Sequence, residues 1–277
     1  MEASRVFADG ALEGHVALVT GGGTNLGKAA AAELVRCGAS VVIAGRRQHV
    51  LEEAAAEIGE GCSWVVGDIR ERSGAEQLIR EVLGRHGHLD FLLNNAGGQY
   101  FVPAESITLK GWRAVQRLNV EGTLAMCEVA YELAMRPAGR GTIVNVTVSP
   151  HQGFPAMAHT GAARAAVEGF TRELAARWAA DGVAVAAIAL GRFATESLRK
   201  YPAELWRRAA ASVPLQRLGT LEEYGWLVAL LASPLRAAFS GSVITLDGAL
   251  DNWPGEWPPP DLTRDGEVPT EERRPVA

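Results

Sequence analysis

The sequence predicts an α/β domain, a parallel sheet with helices on both faces. Three observations carry that prediction. Short, almost wholly apolar runs alternate with longer helical patterns along the chain, as expected for strands buried on both sides and joined by crossover helices. A glycine-rich stretch, Val19-Thr20-Gly21-Gly22-Gly23-Thr24-Asn25-Leu26-Gly27-Lys28, separates the first apolar run from a run of good helix formers. Polar residues close several apolar runs, and open sheets of this kind bind ligands at the carboxyl ends of their strands.

The elements follow in order. Residues 15–19 form a first strand, and Ala29 to Leu34 lie in a helix that ends at Gly38. The glycines between them let backbone N–H groups approach a phosphate, and the helix N-terminus adds a favourable dipole. The turn is therefore read as a dinucleotide pyrophosphate site, although a plain strand–helix turn also uses glycine. Residues 40–44 form the second strand, 64–66 the third, 91–94 the fourth and 142–146 the fifth. Residues 183–189 and 243–246 complete the set. There is no internal repeat and no linker before about residue 250, so residues 1–249 read as one dinucleotide-binding oxidoreductase domain. Residues 250–277, with Trp253-Pro254 and Trp257-Pro258-Pro259-Pro260, cannot build a core and read as a disordered tail or an extended arm.

Composition narrows the function classes. With 277 residues and 48% hydrophobic content the chain can bury one sizeable core. A formal net charge of -5 without a basic stripe argues against nucleic-acid binding. No apolar stretch is long and charge-free enough to span a membrane. The first residues lack a signal-peptide layout and Pro275-Val276-Ala277 carries no peroxisomal address. Cys37, Cys62 and Cys127 are scattered and odd in number, with no metal-ligand spacing. They read as reduced packing residues of a cytoplasmic protein without a metal site.

Arg46 and Arg47 close the second strand. A dinucleotide site for NAD places an acidic residue there to hold the adenosine ribose, whereas guanidinium suits the 2′-phosphate of NADP(H). Two solvated arginines opening a surface helix are the competing reading. Asp68-Ile69 and Asn94-Asn95-Ala96-Gly97-Gly98 close the third and fourth strands.

Thr20-Gly21 through Gly27, Asp68, Asn95-Ala96-Gly97, Asn119 and Asp247-Gly248 resemble the short-chain dehydrogenase/reductase family over roughly residues 12 to 249. The resemblance implies a Rossmann-like doubly wound sheet in a single domain. It implies that Gly21, Thr24, Asn25, Leu26 and Gly27 hold the cofactor, with Arg46 and Arg47 at the adenosine end. Asp68 and Ile69 are expected near the adenine, Asn95, Ala96 and Gly97 beside its ribose, and Thr195 at the nicotinamide carboxamide. It further implies a homotetramer assembled through helices at about 112–135 and 158–180. Asn25 stands where the family usually has glycine, but Asn tolerates left-handed backbone geometry and its amide can donate to a phosphate. Leu190-Gly191 replaces the usual Pro-Gly after the sixth strand, which loosens that loop.

The family's alcohol and ketone chemistry rests on Tyr-x-x-x-Lys, and here Thr160 and Arg164 occupy those positions. An aliphatic hydroxyl is a far weaker acid than a phenol of pKa about 10, and arginine is not deprotonated in proteins. Both still donate hydrogen bonds, and Arg164 can anchor the nicotinamide ribose. The peroxisomal trans-2-enoyl-CoA and 2,4-dienoyl-CoA reductases also lack the Tyr-x-x-x-Lys pair. The enoyl-CoA branch is similar in Asn94 to Tyr100, in Lys110 to Val115 and in Gly153 to Arg164. Hydride addition to an enoyl thioester builds charge on the thioester oxygen, which needs positioned donors. Thr160 supplies one. Thr147 and Ser149, expected just beyond the fifth strand, are candidates for a second, and Asn119 matches the family residue that holds an active-site water. Tyr100, Ser149, His151 or water is the proton donor. Arg192, Arg199, Lys200, Arg207 and Arg208 follow in the expected substrate lid, where they meet a CoA phosphate or form a solvated face. Two further readings stay open: a carbonyl reductase or alcohol dehydrogenase using Tyr100 or His151 as acid, and an NADP-binding protein without turnover.

Overall fold

The computed structural model describes residues 6–149, 151, 153, 156–196 and 203–252. Seven strands, β1 (Val16–Thr20), β2 (Ser40–Gly45), β3 (Cys62–Val66), β4 (Phe91–Asn94), β5 (Gly141–Val148), β6 (Val183–Leu190) and β7 (Val243–Leu246), form one sheet. Its order is β3-β2-β1-β4-β5-β6-β7, and every neighbouring pair is parallel. The chain builds outward from β1 in one direction and from β4 in the other. The strand order therefore reverses between β1 and β4, which opens a crevice at their carboxyl ends.

The apolar strands are continuous because both faces are covered. Along β1, Ala17 and Val19 pack into one core while Val16 and Leu18 pack into the other. The alternation repeats in β2 with Val41 and Ile43 against Val42 and Ala44. Helices α1 (Asn25–Arg36) and α2 (Gln48–Ile58) cover the first face. Helix α3 (Arg72–His86) covers the second. It is joined there by a helical run at 109–138, made of α4 (Leu109–Gln116), α5 (Gly122–Ala130) and α6 (Arg136–Ala138) with π-helical turns between them. Helix α7 (Ala158–Trp178) completes that face, and α8 (Ala203–Ala211) and α9 (Leu221–Ala232) follow β6. Helix α9 returns to the first face through Tyr224 and Val228. Its start is fixed by a capping box between Thr220 and Glu223.

Most strands differ from the sequence reading by one or two residues at an end, and three boundaries bear on the site. The helix expected over 112–135 begins at Leu109, because the Thr108 hydroxyl accepts the Gly111 N–H at 3.1 Å and caps it there. β5 runs to Val148, because all eight of its residues pair with β6. Thr147 is thus a strand residue, not a loop residue beyond the strand. α7 ends at Trp178, and a 3₁₀ turn over Ala179–Asp181 continues it. The tail reading falls mostly on residues 253–277, outside the described residues. Leu250 is buried, however, and Asp251 hydrogen-bonds back to the domain. No helix among the described residues is long and apolar enough to cross a membrane.

Candidate active site

The crevice at the switch point holds a cleft of about 1310 Å³ lined by residues from β1, β2, β5 and β6 and from the loop after β4. Two polar residues lock its floor. Thr20 Oγ1, at the end of β1, accepts the N–H groups of Asn95 and Ala96 at 3.1 and 3.0 Å. Asn95 Nδ2 returns hydrogen bonds to the carbonyls of Thr20 and Gly21. Its Oδ1 accepts the hydroxyl of Tyr224, a phenol raised by complete burial, at 3.2 Å. The Asn95 amide is thus committed to protein groups, holding the glycine-rich turn against β4. Tyr224→Phe should lower stability by about 0.5–1.5 kcal/mol, the net worth of one hydrogen bond, because the half-buried Asn95 Oδ1 loses its donor. Thermal unfolding measures it.

The glycine-rich turn requires its glycines. Gly21 has φ +65°, and a Cβ on Gly27 would fall 2.3 Å from the Gly21 carbonyl oxygen and 2.6 Å from Asn95 Nδ2. Gly27→Ala should therefore displace the turn and weaken cofactor binding, at an overpacking cost of about 1–3 kcal/mol. A titration that returned wild-type affinity would remove the turn from the cofactor site. Asn25 adopts φ 45°, as its residue type allows. Its Oδ1 accepts the Glu196 N–H at 3.0 Å. The side chain therefore links the turn to the loop after β6 and keeps its amide N–H groups for another partner. Thr24 is exposed at the α1 N-cap, and its hydroxyl makes no capping bond. Leu26 lines the cleft beside it.

At the adenosine end, Arg46 and Arg47 are exposed and line the cleft. Neither side chain hydrogen-bonds or ion-pairs with another described residue. Asp68 is held by Arg70, whose Nε lies 2.9 Å away. That hydrogen bond keeps the Asp68 carboxyl below its usual range, and nearby Arg46 acts in the same direction. Ile69, Ala96, Gly97 and Thr195 also line the cleft.

At the other end, Arg164 is buried in the cleft wall, and its Nη1 donates to the Val146 carbonyl at 2.7 Å. Burial pushes its guanidinium down to about 10, so it stays cationic at neutral pH. A Cβ on Gly97 would lie 2.5 Å from Arg164 Nη2, so only glycine leaves room for the guanidinium. Asn119 sits in the π-helical turn between α4 and α5. Its Nδ2 donates to the carbonyls of Gly98 at 2.8 Å and Val115 at 2.9 Å, and its Oδ1 accepts the Gly98 N–H at 3.2 Å. Asn119 thus pins the strand-end loop behind Arg164.

Thr160 is fully buried on the first turn of α7. Thr160 Oγ1, both ring nitrogens of the buried His159 and Arg164 Nε have no hydrogen-bond partner among the described residues. Buried polar atoms are nearly always paired, so this cluster concentrates unmatched hydrogen-bonding capacity beside the cleft, although of its three residues only Arg164 lines it. Tyr100, at the cleft edge, packs edge-on against His159 with ring centroids 4.6 Å apart.

The remaining candidates separate. Thr147 lines the cleft and donates to Glu168 Oε1 at 3.0 Å. Ser149 is buried, does not line the cleft, and donates its hydroxyl to Asp247 Oδ2. That bond commits its one O–H to a carboxylate. His151 bridges Glu168 and Asp251. Of the basic lid residues, Arg192 and Arg208 line the cleft, Arg207 is exposed, and Arg199 and Lys200 lie outside the described residues. Sequence reasoning missed His159, Glu168 and Tyr224. Glu168 stands one helical turn beyond Arg164 and carried that much signal; Tyr224 joins Asn95 across 129 positions and carried none.

The model of a family described as Enoyl-(Acyl carrier protein) reductase matches residues 22–250. The chain belongs to the short-chain dehydrogenase/reductase family. It is 32% identical over 253 residues to the peroxisomal 2,4-dienoyl-CoA reductase [(3E)-enoyl-CoA-producing] of Danio rerio, covering 88% of this chain and 84% of that protein. The enzyme of the same name from Rattus norvegicus is 33% identical over 255 residues, covering 89% and 87%. Among solved structures, the citronellol catabolism dehydrogenase of Pseudomonas aeruginosa PAO1 superposes with a TM-score of 0.81 at 37% identity, covering 90% of this chain and all of that one. As a short-chain dehydrogenase/reductase the protein is an oxidoreductase of the nicotinamide-dependent type.

Proposed function

We propose that the protein is an NADPH-dependent reductase of activated alkenes, with trans-2-enoyl-CoA thioesters as its substrate class. One observation carries the reading. The buried cluster at the start of α7 offers hydrogen-bond donors, Thr160 and Arg164, where carbonyl chemistry requires a titrating phenol and amine. Such a pair stabilises charge on a thioester oxygen without itself exchanging a proton. Relatives named as dienoyl-CoA reductases support the substrate class.

The residues fit a dinucleotide. Gly21 and Gly27 form a cradle that side chains would fill, and Thr24 and Asn25 keep donors beside it. Arg46 and Arg47 suit a 2′-phosphate better than a bare ribose. When bound, the cofactor supplies a hydride. Arg164 anchors its ribose, while Asn119 fixes the Gly98 backbone and so the cleft wall beside it. Thr160, buried in the ligand-free fold, donates to the thioester oxygen once substrate binding uncovers its hydroxyl. Arg192 and Arg208 meet the phosphates of the CoA portion at the cleft mouth. The proposed setting is cytoplasmic, and the proposed assembly is a homotetramer through the 109–138 helical run and α7.

The carbonyl reductase reading has Tyr100 in its favour, a phenol on the cleft wall. NADPH oxidation against 2-enoyl-CoA esters, free enals and ketones separates the two. Turnover confined to the thioesters is the expected result; preferential ketone reduction would replace it with the Tyr100 reading.

A further inference from the structure

Outside the cofactor cradle and the Thr160–Arg164 pair, one chain of side chains leads from solvent to the cleft wall. Asp251, in the 3₁₀ turn after β7, accepts the His151 backbone N–H at 2.6 Å and contacts its Nδ1. His151 Nε2 lies 2.8 Å from Glu168 Oε1. The same Oε1 accepts the Thr147 hydroxyl at 3.0 Å. The chain crosses from the partly exposed imidazole, at 34% side-chain exposure, to a carboxylate at 7% and then to a threonine that lines the cleft. A carboxylate this buried needs partners, and Thr147, His151 and Arg172 supply them.

The geometry points to a proton relay, His151 to Glu168 to Thr147, that delivers the proton completing alkene reduction; the inference rests on the alkene-reductase reading. Hydride adds to the β-carbon and supplies both electrons, leaving an enolate on the substrate. A C–H bond forms at the α-carbon as the Thr147 O–H breaks. The Thr147 oxygen then recovers a proton from His151 through Glu168, whose carboxylate takes the imidazolium Nε2 proton and passes it on, so that Glu168 is ionised before and after the step and the neutral His151 is recharged by solvent. One proton is consumed per turnover. Thr147 is the group at the substrate; Glu168 and His151 act through it.

The groups facing His151 among the described residues are Glu168 on α7, with Arg172 behind it at 3.6 Å, and Asp251, whose own N–H is held by Asp247. Burial opposes the charged imidazole, but the two carboxylates prevail and raise its pKa above the usual range. The sign follows. The imidazolium is fully present below about pH 6.5, and relay capacity is lost as pH rises through the raised value. The stability that His151 contributes is lost in the same window.

The test uses the full chain with NADPH and crotonyl-CoA from about pH 6 to about pH 9. His151→Gln should slow turnover by about ten- to a hundredfold and flatten the alkaline fall in rate. Thr147→Val should match it while Thr147→Ser stays near wild type, and NADPH binding should be unchanged in all three. NMR of the His151 ring in the ligand-free protein should show a titration above about pH 6.5 that moves down in Glu168→Gln. An active wild type with unaltered profiles in His151→Gln and Thr147→Val would overturn the relay alone. So would a ring titration that Glu168→Gln leaves in place. A wild type inert toward every enoyl thioester would overturn the relay together with the reductase reading.

Discussion

Thr160→Val should lower kcat for an enoyl thioester by about 10²–10³-fold, the loss associated with one oxyanion donor. The substitution removes a hydroxyl and keeps the shape. Thr160 Oγ1 is buried with no hydrogen-bond partner among the described residues, so its removal abandons no partner inside the fold. Stability should stay level or rise, since burying a hydroxyl without a bond is unfavourable. The loss therefore belongs to catalysis and not to folding. Steady-state kinetics with thermal unfolding alongside check both halves. A change confined to KM would place Thr160 in binding, and a large fall in Tm would make its role structural.

Arg46→Glu should weaken NADPH binding by about 10- to 100-fold, as expected for lost charge-assisted hydrogen bonds of about 1.5–3 kcal/mol. NADH binding should be unchanged or tighter, because the new carboxylate can accept from a ribose hydroxyl. Arg46 is exposed and carries no ion pair with a described residue, so the fold does not depend on it. Arg47→Glu beside it tells which arginine reads the phosphate. Equal losses for both cofactors would show that the 2′-phosphate is not what Arg46 meets.

Much of this was legible in the chain itself. The seven apolar runs named the strands because a parallel sheet covered on both faces needs side chains that are apolar on alternate positions and their neighbours alike. The glycine-rich turn was legible because a Cβ on Gly27 has nowhere to go. Thr160 and Arg164 were found because they occupy the Tyr-x-x-x-Lys positions of the family that the chain resembles. The break from Tyr-x-x-x-Lys was chemical information carried by residue type alone.

Spacing did not reveal the partners. Ser149, an attractive candidate for its place after β5, is bound to Asp247, 98 positions away. Asn95 reads as a nucleotide contact, yet its amide is used by Thr20, Gly21 and Tyr224. Asn119 closes on Gly98 only because a π-helical turn re-aims it. His151, in the loop after β5, meets Glu168 from α7 and Asp251 from the end of the chain's described part. The sequence by itself determined the order of strands and helices along the chain and the glycine-rich turn, since both follow from local sterics and periodicity, and its family resemblance showed the missing phenol. The tertiary structure decided which polar groups are spent on one another and which stay free for a ligand. That outcome depends on long-range packing, which brings together residues no local rule connects.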